Sequence, residues 1–180
     1  MNIERTFSTK ERMRILKSSI YRSGEFGVSE IAKIANVSKG LVSGYFDYLA
    51  KEGVFRRKKN KFMVRDNIQT KAVKIFLNLN TFDTGLFRKY RFIKSVGVYG
   101  SLAKGTNTGE SDIDLLIFIE PVREEMLAKL TAELKKTFGD VRPLYVTKEK
   151  LEFLKKNDVV FYYSLMFGSV TIYGEKLETI

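Results

Sequence analysis

The sequence contains neither cysteine nor histidine. Without cysteine, a disulfide framework and a thiolate metal site are both excluded. Without histidine, no imidazole can serve as a general base or a zinc ligand, so catalysis would have to rest on carboxylates, hydroxyls, lysines and bound metal. Long hydrophobic runs are also missing: LLIFI is far too short to cross a bilayer, and the charged N-terminal residues lack the apolar core of a signal peptide. We therefore expect a cytoplasmic protein with no membrane partner.

Charge is distributed unevenly along the chain. The 180 residues carry a net charge of +11, and 44% of them are hydrophobic, as in ordinary soluble proteins of one medium or two small domains. Residues 1–65 hold 15 Lys and Arg against 6 Asp and Glu, a net +9, whereas residues 66–180 hold 17 against 15, a net +2. The basic half favours a polyanionic partner, although a lysine-rich surface without any partner would give the same totals.

The basic half has the pattern of helices followed by a hairpin. Apolar residues recur at helical spacing over residues 10–20, and YRSGEFG then ends that helix. Ser29 is a predicted N-cap for a short helix, and Ser38 is a predicted N-cap for a second helix that ends at Gly53. After Gly53, VFRRKKNKFMV predicts a hairpin in which RRKKNK forms the tip.

These residues, VSEIAKIANVSKGLVSGYFDYLAKEGVFRR above all, resemble the winged helix-turn-helix family over residues 8–65. The resemblance implies a mainly α domain with a β-hairpin wing that binds double-stranded DNA, its second helix in the major groove and its wing on the backbone. It implies DNA contacts from the second helix and the wing, at Ser38, Lys39, Gly40, Ser43, Arg56, Arg57, Lys58, Lys59 and Lys61. A homodimer on a palindromic site is the usual arrangement. A winged helix used only for dimerisation or protein contact is the alternative.

The second half alternates helices and strands. A helical connector over residues 66–92 is followed by predicted strands at 95–99, 113–119 and 141–146. Between and after them, Pro121 is predicted to start a helix, TKEKLEFLKK forms another, and SVTIYG is a closing strand. This alternation predicts an α/β domain with a mixed sheet. The expected division of the chain is therefore 1–65, 66–92 and 93–180.

One stretch, VYGSLAKGTNTGESDIDLLIF, joins a Gly-Ser turn to two aspartates. Gly100 allows a close backbone approach after a strand, and Ser101 adds a hydroxyl beside N–H groups that can bind phosphate. Asp112 and Asp114 are one residue apart on a predicted strand, so both side chains leave the same face while their neighbours point into the core. Two such carboxylates repel each other unless a cation lies between them, and Mg²⁺ bound by carboxylates and substrate phosphates is the expected arrangement.

Gly100-Ser101, ten intervening residues and Asp112-Ile113-Asp114 resemble the signature of the minimal nucleotidyltransferases of the DNA polymerase β superfamily. The resemblance covers about residues 93–175. It implies a nucleotidyltransferase fold with nucleotide-binding residues Gly100, Ser101, Lys104 and Ser111, and with Asp112 and Asp114 as catalytic ligands of Mg²⁺ or Mn²⁺. It also implies transfer of a nucleotidyl group, AMP from ATP above all, to a hydroxyl of a small molecule or a protein, including partners in toxin–antitoxin pairs.

The third acidic residue of that family has no evident counterpart here. Matching the strand end YVT to the family's pattern places it near Leu144, which has no charge. Asp140 is the nearest acid, and Glu110 is the other carboxylate that could replace it. Such an acid would serve acceptor activation and a second metal position.

Three hypotheses for the function stay open. The first is an active nucleotidyltransferase that the winged helix brings to DNA, where it would regulate its own operon. The second is a transcription regulator whose second domain binds nucleotide without catalysis. The third is a structural dimerisation domain with a decayed site, against which the intact Gly100, Ser101, Asp112 and Asp114 argue.

Overall fold

The computed structural model describes residues 1–175 and divides into two compact units. The first unit comprises Met1–Leu77 together with Gly105–Glu110, and the second comprises Asn78–Lys104 together with the chain from Ser111 onward. A short segment that lies inside the second unit in sequence therefore belongs to the first unit in space. Among the helices of residues 1–175, none has the length and hydrophobicity that a membrane span requires.

Helices and one small sheet form the first unit. Its elements are α1 (Ile3–Thr6), α2 (Lys10–Ser19), β1 (Glu25–Phe26), α3 (Val28–Ala35), α4 (Lys39–Lys51), β2 (Phe55–Lys58), β3 (Lys61–Val64) and α5 (Ile68–Leu79) except for its last two residues. The strands form an antiparallel sheet in the order β1-β3-β2. Lys58 pairs with Lys61, so the hairpin turns at Lys59 and Asn60 alone. The predicted RRKKNK tip was too long, because most of its cations belong to the strands.

The two central helices of the first unit begin with different capping groups. Ser38 is the N-cap of α4, as the sequence predicts, and its hydroxyl accepts a hydrogen bond from the Leu41 N–H at 3.3 Å. Ser29 is not a cap, because α3 already begins at Val28, directly after β1. The N-cap of α3 is Gly27, whose N–H donates to the Glu30 carboxylate at 3.5 Å. The sequence pattern missed the short strand, so it placed the helix start too late.

Four buried phenylalanines join α4 to the strands of the first unit. The ring of Phe46 on α4 contacts Phe26, Phe55 and Phe62 edge to face, with centroids 4.9–5.5 Å apart. Burying each ring stabilises the fold by roughly 1.5–3 kcal/mol, and the edge-to-face geometry adds to this. The hairpin is therefore packed firmly against α4.

Backbone groups of the segment 105–110 contribute to holding it to the first unit. The Gly109 N–H donates to the Tyr21 carbonyl at 2.9 Å, and the Lys74 ammonium donates to the Asn107 carbonyl at 2.6 Å. Gly105 has a φ of +66°, and a Cβ at this position would overlap the Lys71 carbonyl of α5. Only glycine combines that backbone conformation with that close approach.

A four-stranded mixed sheet forms the centre of the second unit. Its elements are α6 (Gly85–Arg88), β4 (Ile93–Val98), α7 (Gly100–Lys104), β5 (Ile113–Ile119), α8 (Glu124–Phe138), β6 (Val141–Val146), α9 (Lys148–Asn157), α10 (Val159–Gly168) and β7 (Val170–Gly174). The strand order is β6-β5-β4-β7, with β5 and β6 parallel and the other pairs antiparallel. The predicted α/β domain with a mixed sheet is confirmed.

Each face of this sheet has its own apolar cluster. One face packs against α8, and its buried residues include Leu115, Ile117, Val141, Leu130 and Leu134. The other face packs against α9 and α10, and its buried residues are Leu116, Phe118, Val146, Leu165 and Met166. Side chains alternate along β5, so Asp112 and Asp114 share the face of Leu116, next to the end of the second cluster.

Two helices of the second unit differ from the sequence-based expectation. α8 begins at Glu124 with Arg123 as its N-cap, so Pro121 lies before the helix, in the link that follows β5. The sequence does not predict α10, because VVFYYSLMFG is apolar on every side and has no helical periodicity to detect.

Replacing Gly105 by alanine is expected to destabilise the first unit more than the same change at Gly53. Both glycines have positive φ, at +66° and +81°, but a Cβ at Gly53 has no atom within 4 Å. Alanine at Gly53 would cost roughly 1–2 kcal/mol for its left-handed backbone. At Gly105 the overlap with Lys71 would add about 1–3 kcal/mol. Urea unfolding of both variants measures this difference, and equal losses would contradict the packing of residue 105 on α5.

Candidate functional site

Gly100 brings the end of β4 against the Asp114 carboxylate. It is the first residue of α7, with a φ of +68°, and a Cβ there would overlap Asp114 Oδ2. The Tyr99 N–H donates to the Asp114 carbonyl at 3.1 Å, which fixes the same approach from the backbone. The predicted Gly-Ser turn is thus the start of a short helix. Glycine is required at position 100 because any side chain would displace the carboxylate.

The other predicted nucleotide-binding residues lie on either side of this contact. Ser101 and Lys104 belong to α7, where Lys104 is the last residue and is exposed. Ser111 directly precedes Asp112 in the segment that leads into β5. The structure therefore places Gly100 directly against Asp114, and it places the remaining three on the two segments that meet there.

Asp112 and Asp114 occupy one face at the start of β5. Asp112 lies one residue before the strand, and Asp114 is its second residue. Ile113 and Leu115 belong to the cluster on the opposite face, as the alternation predicts. Burial raises the pKa of the Asp114 carboxyl, the Asp112 carboxylate raises it further, and the Arg142 guanidinium opposes the rise. The two carboxylates therefore form a like-charged pair that an added cation would stabilise.

This pair of carboxylates also affects the pKa of the Tyr99 phenol. Burial raises the pKa of its phenol, and the charges of Asp114 and Asp112 raise it further. This phenol therefore ionises less readily than that of an ordinary tyrosine. Tyr99 is not among the residues predicted from the sequence, although its position directly before the Gly-Ser pair is a usable signal.

Arg142 is the side chain that β6 brings to the aspartates. Its Nε lies 2.5 Å from Asp112 Oδ2, and it pairs in register with Asp114 across the parallel strands. Leu144, where the family pattern would put a third carboxylate, instead packs against the apolar cluster on this sheet face. A guanidinium has no lone pair to offer a metal ion, so Arg142 is not a metal ligand. Because residues 142 and 144 share one face of the sheet, the residue next to the aspartates carries a cation.

The carboxylates of this site could bind one divalent cation together with oxygen atoms of a substrate. Within residues 1–175, no group of three Asp or Glu side chains comes together as a metal site. Glu110 belongs to the first unit, and Asp140 contributes its backbone carbonyl, which accepts a hydrogen bond from the Ile113 N–H at 2.8 Å. Two carboxylates remain, and Mg²⁺ is commonly held by one or two carboxylates together with phosphate oxygens and waters. Asp112 and Asp114 are the residues that would hold such an ion.

The predicted DNA-contacting residues surround the start of α4 and the hairpin. Ser38 caps α4, Lys39 and Gly40 are exposed in its first turn, and Ser43 is partly exposed one turn later. All the hairpin cations are exposed: Arg56, Arg57, Lys58, Lys59 and Lys61.

Two hairpin cations already have anionic partners. Arg57 lies 3.1 Å from the Asp47 carboxylate, and Lys58 lies 2.6 Å from the Glu25 carboxylate. By contrast, Lys59 and Lys61 have no carboxylate within 4.0 Å in residues 1–175. The cations of the hairpin are thus not equivalent, a difference that the sequence does not show.

The opposite end of β5 holds a cavity of about 590 Å³. Phe118, Ile119 and Pro121 line it together with Lys94 and Lys148. None of the predicted site residues borders this cavity. Its size alone therefore does not identify the functional site of the second unit.

Replacing Arg142 by glutamine is expected to strengthen the binding of a divalent cation at Asp112 and Asp114. A unit charge about 5 Å from a divalent ion raises the energy by roughly 1.7 kcal/mol in water-like screening, so affinity should rise roughly 15- to 20-fold. Arg123→Gln is the matched control, because Arg123 is exposed and pairs with Glu125 instead. Titration with Mn²⁺ followed by electron paramagnetic resonance, without nucleotide, measures both variants. Unchanged affinity in Arg142→Gln would show that the ion does not bind beside Arg142.

Comparison with known proteins gives one sequence match and weak structural likenesses. The family described as nucleotidyltransferase domain matches residues 80–166, which are 87 of the 180 residues. No curated protein matches the chain. Among solved structures, a toxin–antitoxin structure with AMP-PNP is 18% identical over 56% of this chain and 77% of its own, with a TM-score of 0.42. A structure of a proposed nucleotidyltransferase from Sulfolobus solfataricus is 15% identical over 61% and 88%, with a TM-score of 0.37.

Both TM-scores are below 0.5, so neither structural likeness bears on function. The family match is the informative comparison, and it begins before β4 and ends within α10. The first unit lies almost wholly outside the match. The stretch that is similar to this family, residues 80–166, contains Gly100, Asp112, Asp114 and Arg142.

Proposed function

We propose that the second unit binds a nucleoside triphosphate with Mg²⁺ and transfers its nucleotidyl group to a hydroxyl. The observation that carries this proposal is the packing of Gly100 against Asp114, with Asp112 on the same sheet face, inside a segment that matches the nucleotidyltransferase domain. That contact joins backbone N–H groups, which suit phosphate oxygens, to carboxylates that suit a divalent cation.

The proposed roles of the residues follow from their chemistry. The Ser101 hydroxyl and the Lys104 ammonium would bind phosphate oxygens of the triphosphate, and Ser111 would support that segment. Asp112 and Asp114 would hold Mg²⁺, which when bound neutralises the phosphates and polarises the reacting phosphorus. The acceptor oxygen forms a new bond to the α-phosphorus, the bond from that phosphorus to the β-phosphate oxygen breaks, and pyrophosphate leaves with its electron pair. The acceptor proton passes to solvent.

We propose ATP as the donor and a protein or small-molecule hydroxyl as the acceptor, so that the product carries AMP. A partner protein of a toxin–antitoxin pair is one such acceptor. The nucleotidyltransferase match at residues 80–166 supports the reaction class. The choice of AMP and of a partner protein comes from the resemblance to minimal nucleotidyltransferases.

Arg142 favours a second candidate function. Its guanidinium pairs with Asp112, on the strand where the family's acceptor-activating acid is expected near Leu144. A guanidinium cation cannot accept a proton. In this alternative, the chain is a transcription regulator that binds nucleotide and transfers it slowly or not at all.

Calorimetric titration of ATP and the other nucleoside triphosphates, with and without Mg²⁺, tests both functions. We expect Mg²⁺-dependent binding to the wild type, at least tenfold weaker in Asp112→Asn/Asp114→Asn. Asp140→Asn is the matched control, since the Asp140 contact to β5 uses its backbone carbonyl. Release of pyrophosphate and transfer of α-³²P label would establish the enzyme. Binding without pyrophosphate release would establish the regulator, and no binding to the wild type would overturn both.

We propose further that the first unit binds double-stranded DNA as a winged helix. The sequence of α3, a short turn at Asn36–Ser38, α4 and then a hairpin supports this, as does the net charge of residues 1–65. Lys39 and Gly40 at the exposed start of α4 would approach base edges and backbone in the major groove. The hairpin cations would contact phosphates.

The pairing of the hairpin cations predicts which of them contribute to DNA affinity. Each phosphate contact that a cation makes contributes about 0.9 to the slope of log K against log salt concentration. Lys59→Gln/Lys61→Gln is expected to flatten the slope by about 1.8, whereas Arg57→Gln/Lys58→Gln should have a smaller effect, because those cations already contact carboxylates. Fluorescence anisotropy with duplex DNA over a range of salt concentrations measures the slopes. An unchanged slope in both variants would show that the hairpin does not contact the DNA backbone.

A further inference from the structure

The first unit contains a cationic pocket that neither proposed function uses. It is a cavity of about 310 Å³ formed by the end of β3, the start of α5, the turn before β1 and the segment 105–110. The side chains that define this cationic pocket are Arg22, Arg65, Asp66, Lys71, Lys74, Thr106 and Thr108. Four of these seven are cations and one is a carboxylate. Its volume lies at the lower end of the range for small-ligand sites.

Lys74 is a buried cation without an adjacent carboxylate. Only 7% of its surface is exposed, and in residues 1–175 no carboxylate lies within 4.0 Å of its ammonium. The ammonium donates to the Asn107 carbonyl at 2.6 Å and lies 5.8 Å from the centroid of the Tyr21 ring. Burial lowers the pKa of this ammonium, and the more distant Asp66 carboxylate opposes the decrease. A buried charge that lacks a counterion is destabilising, and a bound anion would compensate it.

The other cations of the pocket are only partly balanced. Lys71 lies 3.0 Å from Asp66, and Arg22 lies 2.5 Å from Glu30. Arg65 has no carboxylate within 4.0 Å in the described part of the chain. Four cations thus face two carboxylates, which leaves an excess of two positive charges at the pocket. That excess matches the charge of a phosphate group near neutral pH.

We propose that this pocket binds a small phosphate-bearing ligand. The ammonium of Lys74, the ammonium of Lys71 and the guanidinium of Arg65 supply charge-assisted donors, which form the strongest hydrogen bonds to phosphate oxygens. The cavity has room for about ten waters at roughly 30 Å³ each, so it accommodates a phosphoryl group together with a small organic part. A concave site of this kind suits a free ligand better than a phosphate on the convex backbone of a DNA duplex.

Occupancy of the pocket would affect the segment that leads to the aspartates. Gly105, Thr106 and Thr108 line the pocket, and in the sequence they lie between Ser101 and Asp112. Asn107, whose carbonyl accepts the Lys74 hydrogen bond, is in the same segment. A ligand that neutralises Lys74 would therefore stabilise this segment. The proposed site stands whether or not the second unit transfers nucleotides.

Binding of inorganic phosphate and of glycerol 3-phosphate to the full chain, without Mg²⁺ or nucleotide, tests the proposal. Calorimetry and ligand-induced shifts of the melting temperature would be measured at constant ionic strength set with chloride. We expect the wild type to bind one equivalent, and Arg65→Gln/Lys71→Gln to bind at least tenfold more weakly. The matched control is Lys33→Gln/Lys51→Gln, which removes two exposed lysines of the same unit from positions outside the pocket. Asp112→Asn/Asp114→Asn should bind as the wild type does.

Lys74→Met provides a second test of the phosphate pocket. An apolar side chain of similar length tolerates burial better than an uncompensated cation does. We expect this variant to melt at or above the wild-type temperature without ligand and to lose the stabilisation by phosphate. Equal phosphate affinity in the wild type, Arg65→Gln/Lys71→Gln and the lysine control would overturn the proposal. So would loss of binding in Asp112→Asn/Asp114→Asn. The proposal also fails if phosphate does not bind while Arg65→Gln/Lys71→Gln weakens DNA binding, since the cluster would then contact the DNA backbone.

Discussion

The absence of a side chain at Gly100 determines the geometry of the candidate site. The start of α7 and the start of β5 approach so closely here that a Cβ on residue 100 would overlap the Asp114 carboxylate. Groups suited to phosphate and groups suited to a cation are thereby placed side by side. Partial burial also disfavours the ionised form of the Asp114 carboxyl. A bound cation would offset this electrostatic cost.

The two units contrast in how their cations are compensated. In the second unit, Arg142 compensates Asp112 and leaves the pair of aspartates with one net negative charge. In the first unit, Lys74 is buried beside a backbone carbonyl and not beside a carboxylate. The pair of aspartates thus lacks one compensating positive charge, and Lys74 lacks an adjacent negative charge. A cation would compensate the first group and an anion would compensate the second.

The sequence predicted the features that depend on local spacing. The cap at Ser38, the strand at 113–119 and the shared face of Asp112 and Asp114 all follow from residue type and periodicity. The role of Arg142 depends on the register between β5 and β6, which a sequence does not specify on its own. The helix α10 could not be predicted, because a segment that is apolar on all sides has no periodicity.

The segment Gly105–Glu110 affects the order in which the chain can fold during synthesis. The first unit lacks part of its structure until residue 110 has left the ribosome, and by then β4 and α7 of the second unit already exist as nascent chain. The two units therefore cannot fold strictly one after the other, as N-terminal domains generally do. No single peptide bond separates them either. A chain cut after Leu77 would leave each unit with a missing or a misplaced segment.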